Sequence, residues 1–501
     1  MKNFIIFYLL VILLNLILPI DDIISFKIES FQYNGEHTNS QIINQLYDSN
    51  LVTTVKIGSY SYPLKTFVDA KNHYFFISSK CNIEKSHFSE YKTNFNYNRY
   101  RSNTFKNTSS FNLSFSQSSY ACTANEEFEF YKMNRKEVSK ESINFILVED
   151  TSEDIPNCLH IGLLENKNKE SSFSEYNLIT QLKQKNSIKE NCWSIIFNIP
   201  VNYNNDYLLV NADELLKLNG NLYIGDYPHI FDSKNYFESQ LVKTYTKFEY
   251  NMMRWELNFN KIYYKYNSKE VKILANNNEI SLDPSNYFIV VPEYYYDSIK
   301  ENYFQKYLDN DICHFEDIDE YTTFYCKKSD KFSINEIKQF PSLYFEHINL
   351  EYTFELSFKD LFIEKDGNYY VLFISDTTYN KDQWVLGNIF MRKYQFVFNL
   401  ESKEIGFYNP NLEKKQKNNE DNPKDNPKDS SKIWLIALLI IAVIIIIVGV
   451  VNFIKMKFYN SSLKKKRANE LDDDFDYISH KNKDNNNYKD NQLFNESINQ
   501  D

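Results

Sequence analysis

Two aspartates in this chain have the residue type and the surroundings to do chemistry. Asp69 lies in Phe67-Val68-Asp69-Ala70-Lys71-Asn72-His73-Tyr74-Phe75-Phe76-Ile77, and Asp283 in Ile280-Ser281-Leu282-Asp283-Pro284-Ser285-Asn286-Tyr287-Phe288-Ile289-Val290. Each follows an apolar strand pattern and precedes a short polar or aromatic stretch and a second apolar strand. They stand 214 residues apart, a separation that suits one carboxylate from each half of a duplicated fold. Paired carboxylates are the residue type for general acid–base work. An Asp at a strand-to-turn junction is also an ordinary turn former, so the repeat carries weight only with its surroundings.

Other chemistries have little support. The eight histidines are scattered, with no His-x-x-x-His or His-Glu-x-x-His, so no metal is expected. There is no C-x-x-C, no G-x-S-x-G elbow, no G-x-G-x-x-G and no phosphate-binding loop. With 56 basic against 67 acidic side chains the net charge is −11, which disfavours nucleic acid as a partner.

The elements that must hold the aspartates are mostly strands. From about Phe31 to Tyr408 the chain reads as short runs rich in β-branched and aromatic residues, among them 51–57, 74–78, 288–291, 369–374 and 394–398. The clearest helical pattern is 294–308. With 501 residues, only 9 Gly and 11 Pro, and 40 each of Phe and Tyr, the chain can bury a large core.

Two apolar runs bound this region. Residues 4–20 follow a single lysine and read as a signal peptide (1–20), with an uncleaved anchor as the alternative. Residues 433–454 hold 22 residues with one Asn and no charge, enough to cross a bilayer, and Lys455, Lys457, Lys464, Lys465, Lys466 and Arg467 follow. The expectation is a single-pass type I membrane protein of the secretory or endolysosomal system or the cell surface, its bulk lumenal or extracellular. Residues 411–432 read as a polar stalk and 455–501 as a cytoplasmic tail. All six cysteines (Cys81, Cys122, Cys158, Cys192, Cys313, Cys326) lie between the apolar runs and predict disulfides in an oxidising compartment. Asn107 and Asn112 head two glycosylation sequons.

With its surroundings, the aspartate repeat resembles the pepsin-like aspartic protease family. Ile57-Gly58-Ser59 stands where that family has its Ile-Gly-Thr strand, Ile161-Gly162-Leu163 resembles the strand closing the N-lobe, and Leu222-Tyr223-Ile224-Gly225 the one opening the C-lobe. The most specific block is Trp384-Val385-Leu386-Gly387-Asn388-Ile389-Phe390-Met391-Arg392-Lys393-Tyr394, followed by Phe396-Val397-Phe398 and Ile405-Gly406-Phe407. Five of the nine glycines fall on these positions (58, 162, 225, 387, 406). The resemblance covers residues 45 to 410. It implies a mainly β, bilobal fold, here followed by one transmembrane helix, with an N-lobe over 47–215, a C-lobe over 216–410 and a segment 21–46 that could be a propeptide. It also implies a disulfide Cys313–Cys326. The remaining cysteines allow three connectivities, of which sequence proximity favours Cys81–Cys122 with Cys158–Cys192.

The resemblance further implies a catalytic pair, Asp69 and Asp283, that shares one proton, binds a peptide in the interlobe cleft and needs no cofactor. The family's Asp-Thr-Gly turns are altered, however. They read Asp69-Ala70-Lys71-Asn72 and Asp283-Pro284-Ser285-Asn286, and Phe115 takes the place of the flap tyrosine. Hydroxyls and glycines that steady the pair are gone, so the expectation is a peptide-binding protein with weak or absent catalysis. The alternative is an active endopeptidase acting on lumenal or surface proteins. A third reading makes the aspartates mere turn formers in an adhesive or coat protein.

Overall fold

The computed structural model describes residues 23–30, 38–47, 51–70, 75–78, 97–112, 120–133, 136–150, 159–163, 176–198, 209–211, 219–246, 248–249, 252–266, 269–273, 279–284, 286–318, 321–376 and 382–412. The chain divides into units 1–417 and 418–501, and every described residue belongs to the first. Among the described residues no helix is long and apolar enough to cross a membrane. The apolar runs 4–20 and 433–454 lie outside them.

Strands dominate because the sequence alternates. Leu51–Ile57 buries Leu51, Val52, Thr53, Val55 and Ile57 and exposes Thr54 and Lys56, the period-two pattern of a strand with one face on a core. A thirteen-stranded sheet holds the N-lobe and the junction between lobes. Its N-lobe part runs, in spatial order, Leu51–Ile57, Tyr62–Asp69, Leu159–Gly162, Phe75–Ser78, Glu137–Asp150, Tyr120–Lys132 and Lys106–Asn112. Its junction part runs Leu241–Tyr245, Glu404–Tyr408, Phe396–Asn399, Cys192–Phe197, Asn219–Ile224 and Ile24–Ser30, the last of these beside Leu51–Ile57.

The C-lobe is built on a second sheet that includes Asn368–Val371, Tyr321–Lys327, Phe373–Asp376, Ile289–Val290, Trp384–Leu386 and Glu279–Leu282. The strand Cys313–Ile318 pairs with Tyr321–Lys327, and the Cys313–Cys326 disulfide staples that hairpin. The many aromatics fill this lobe: Phe304 stacks on Phe324 at 4.5 Å, and Tyr296 on the same ring at 4.7 Å. Such pairs add to plain area burial.

Most expected strands appear, with informative shifts. The run 369–374 divides into Asn368–Val371 and Phe373–Asp376, because Leu372 turns its N–H to the carbonyl of Leu361 instead of continuing one ladder. Tyr394 does not open a strand. It ends the helix Asn388–Lys393, and the strand begins at Phe396. The expected helix runs from Glu293 to Leu308, its middle residues Lys300–Phe304 in a π turn.

A four-stranded sheet, Lys269–Ile273, Lys261–Tyr266, Leu343–His347 and Tyr352–Leu356, carries a titrating group that matters for stability. His347 is buried against Phe259, and its Nδ1 accepts the Leu350 N–H at 3.2 Å, so the proton of the neutral ring sits on Nε2. Burial lowers its pKa to about 4. The unfolded chain, with an ordinary histidine near 6.5, therefore binds more protons between these values, and stability is lost as pH falls through that window. Between pH 7 and 4.5 this one group costs about 2 kcal/mol. Urea unfolding of His347→Gln, which keeps an acceptor for Leu350, should show an acid loss smaller by that amount than the wild type; equal losses would refute the assignment.

Candidate active site

Each aspartate sits at or just past the end of a strand, beside a short parallel strand that ends in or is followed by a glycine. In the N-lobe, Tyr62–Asp69 runs parallel to Leu159–Gly162 with Asp69 opposite Gly162, and the Leu163 N–H bonds the Asp69 carbonyl at 2.9 Å. In the C-lobe, Glu279–Leu282 runs parallel to Trp384–Leu386, and the Asp283 N–H bonds the Leu386 carbonyl at 3.0 Å. One further step of that register sets Asp283 opposite Gly387.

The repeat extends outward from the aspartates. Phe75–Ser78 and Ile289–Val290 each begin six residues after their Asp and return antiparallel to the glycine strand. Each then pairs in parallel with a further strand, Glu137–Asp150 in the N-lobe and Phe373–Asp376 in the C-lobe. The two sites are thus copies of one motif.

They differ in exposure. Asp69 is half-buried and Asp283 is 1% exposed. Beyond Asp283 the chain closes a turn, the Asn286 N–H donating to the Asp283 carbonyl at 3.2 Å. The Asn286 side-chain oxygen accepts the Phe288 N–H at 3.1 Å, and its carbonyl accepts the Asn388 N–H at 2.6 Å. Pro284 is buried in this turn and offers no N–H. Next in line, the buried Tyr287 hydroxyl accepts from Arg392 Nη1 at 3.2 Å; burial pushes its phenol pKa up while the guanidinium opposes the shift. Asn388 is itself 1% exposed, and neither atom of its side-chain amide has a hydrogen-bond partner among the described residues.

Two tryptophans tie the halves together. Trp193, in the junction sheet, donates its indole N–H to the Leu163 carbonyl at 3.2 Å, one residue past Gly162. The Trp255 carbonyl accepts the Leu282 N–H at 2.8 Å, one residue before Asp283. The two rings meet edge to face at 6.0 Å, and both pack on Phe398. A shift at either strand end is therefore felt through one aromatic wedge.

Several expected residues lie outside the described set: Lys71, Asn72, His73, Cys81, Phe115, Cys158 and Ser285. Phe115 falls between the hairpin strands Lys106–Asn112 and Tyr120–Lys132, which do form. Asn107 is exposed on Lys106–Asn112, the outermost strand of its sheet, and Asn112 ends that strand. The pairing of Cys192 with Cys158 is corrected. Cys192 is a free thiol buried beside Val397 and Tyr408, with its carbonyl holding the Gly225 N–H. Proximity in sequence gave no hint of that neighbourhood, which the pairing of Cys192 with Asn399 creates. Burial, with Asp226 nearby, pushes its pKa up and keeps it a thiol. Cys122 is buried on Tyr120–Lys132.

Among the described residues no cluster of His, Cys, Asp and Glu could hold a metal ion. A cavity of about 470 Å³ opens beside Tyr236, Arg392, Tyr394, Gln395 and Tyr408. Its walls include neither Asp69 nor Asp283.

A duplicated β motif that delivers one aspartate per lobe defines the class of bilobal aspartic proteases. The chain matches the family model of the eukaryotic aspartyl proteases over residues 50–409, and it belongs to that family. Its fold is similar to the crystal structure of basic 7S globulin from soybean, with a TM-score of 0.52 at 10% identity, covering 77% of this chain and 95% of that one. No curated protein sequence matches it.

Proposed function

We propose that this is a membrane-anchored protein that uses its pepsin-like cleft to bind peptides, with an Asp69/Asp283 pair that works weakly or not at all. The observation carrying this reading is the C-lobe turn. Where the family has a threonine hydroxyl, Pro284 has neither hydroxyl nor N–H, and Asn286 commits its side-chain oxygen to Phe288. Catalysis by two carboxylates needs them held within a fraction of an ångström, and the groups that would do this have been replaced.

The second reading is an active endopeptidase. It is favoured by the equivalent positions of the two aspartates, opposite Gly162 and beside Gly387. In that case one carboxylate of the pair takes a proton from water as it attacks the peptide carbonyl, and the other donates to the carbonyl oxygen. The titration belongs to the pair and not to either residue.

The apolar run 433–454, followed by basic residues, supports a type I anchor. The Cys313–Cys326 bridge fits a lumenal or extracellular setting, and the exposure of Asn107 suits glycosylation there. The deciding experiment incubates the full-length protein in detergent with a diverse peptide mixture from acid to neutral pH, beside Asp69→Ala and Asp283→Ala. The expected result is peptide retention by all three and little cleavage by any. Turnover at about 1 s⁻¹ or faster, the range of ordinary enzymes, lost in both variants, would establish the endopeptidase instead.

A further inference from the structure

We infer that the cavity beside Arg392 is a binding site for a carboxylate carried on an aromatic body, the chemistry of a peptide end or free amino acid of the Phe, Tyr or Trp type. The inference is independent of whether the aspartates are catalytic.

The cavity, of about 470 Å³, has the size of a small-molecule site. Regular elements hold its aromatic walls. Tyr352 lies on the strand Tyr352–Leu356, Phe407 and Tyr408 lie on Glu404–Tyr408, and Tyr394 ends the helix Asn388–Lys393. Tyr236 and Tyr408 meet at 5.1 Å between ring centroids, Tyr352 and Phe407 at 4.9 Å, and Tyr352 and Tyr394 at 5.9 Å. Three of the hydroxyls are committed to the protein. The Tyr394 hydroxyl donates to the Glu355 carbonyl and accepts the Glu355 N–H, both at 2.8 Å. The Tyr408 hydroxyl bonds His229 Nδ1 at 2.7 Å, and that of Tyr236 donates to Gln395 Oε1 at 3.3 Å. These residues therefore bring mainly ring surface to the cavity, which suits an aromatic guest.

Charge sets the other half of the ligand. Arg392 is 6% exposed and lies on the cavity wall, and its Nη1 donates to the Tyr287 hydroxyl at 3.2 Å, which helps fix how the guanidinium lies. Lys393, also on the wall, donates to the Asp360 carboxylate and the Glu355 carbonyl, both at 2.7 Å, so its charge is answered within the protein. Glu355 is the one acid among the described wall residues, and its carboxylate accepts from the Tyr344 hydroxyl at 3.2 Å. The Gln395 amide is engaged at both ends, its Nε2 on the carbonyls of Ile195 and Phe396 and its Oε1 on Tyr236. A guest read by neutral hydrogen bonds, such as a sugar, finds few partners here. A carboxylate finds an arginine, whose planar fork can grip two oxygens at once and does so more strongly away from bulk water.

The test titrates N-acetyl-L-phenylalanine into the full-length protein in detergent and follows binding by calorimetry. One site per chain is expected. N-acetyl-L-phenylalaninamide, which lacks the charge, and N-acetyl-L-alanine, which lacks the ring, should each bind at least about tenfold more weakly. A hexapeptide ending in phenylalanine, beside its amidated form, separates the two sources: the same preference for the free acid assigns the site to chain ends, and binding of the amino acid alone assigns it to the free molecule. Arg392→Lys keeps the charge but loses the fork, and should weaken binding about tenfold. Should that variant fail to fold, Thr353→Trp, at an exposed wall position, fills the opening and should abolish binding. Equal binding of acid and amide, no binding at millimolar concentrations, or binding that Thr353→Trp leaves unchanged would overturn the inference.

Discussion

Gly387→Ala is expected to destabilise the protein by at least about 3 kcal/mol, more than a single methyl group ordinarily costs. A Cβ built at Gly387 lies 2.2 Å from the Phe288 carbonyl oxygen and 2.3 Å from that of Asn286. Both obstacles are backbone atoms of the turn after Asp283, so no side chain can swing aside. The backbone at Gly387 has a φ of −83°, open to any residue, so the whole penalty is one of space. Relief could come only by pushing the Asp283–Phe288 turn away from the helix Asn388–Lys393, breaking the Asn388-to-Asn286 bond. Gly367→Ala is the natural control. Nothing lies within 4 Å of its Cβ position, and its φ of +76° leaves strain alone, about 1 kcal/mol. Urea unfolding of both variants measures the difference. A Gly387→Ala protein as stable as the wild type would show that the turn yields freely, and the close packing around Asp283 would lose its meaning.

The second large effect concerns activity. Rebuilding both turns, with Ala70→Thr and Lys71→Gly in one lobe and Pro284→Thr and Ser285→Gly in the other, should raise peptide cleavage about 100-fold or more. A misplacement of about 1 Å at a reacting group costs that much, and the rebuilt turns restore the hydroxyls and bare backbone that position the pair. Adding Asp69→Asn or Asp283→Asn to the rebuilt protein should abolish the gain. The asymmetry of the site sharpens this expectation. Asp283 lies in a turn whose residues Pro284, Asn286 and Tyr287 are all buried, whereas Asp69 is half-buried. Hence the C-lobe substitutions alone should deliver less than the four together. If the rebuilt protein folds like the wild type and cuts no faster, the altered turns are not what restrains catalysis.

Much of this architecture was legible in the residues. Gly162 and the block from Trp384 to Tyr394 mark the strands beside each aspartate, and in a chain with nine glycines the five at these family positions stand out. At Gly387 the structure supplies a reason, a backbone approach that leaves no room for a side chain. The matching distances from each Asp to its next strand follow from the repeated pattern of apolar runs. What escaped was set by distant partners. Ile24–Ser30 alternates like any strand, but its place in the sheet depends on residues 219–224, and no local signal carries that information. Cys192 looked like a disulfide partner for Cys158 until its strand was seen to pair with Phe398 and Asn399. The unequal burial of the two aspartates also arises from packing across elements, since both follow an apolar strand in much the same way.

The paired tryptophans have an optical consequence. Of the four tryptophans in the chain, Trp193 and Trp255 stand at the contact between the junction sheet and the two aspartate-bearing strands, in edge-to-face contact and sealed from water. An indole's emission shifts with its polarity and is quenched by neighbours that move. A movement of one aspartate-bearing strand against the other would disturb this ring contact, so two of the chain's four indoles are placed to report on it in the intrinsic fluorescence.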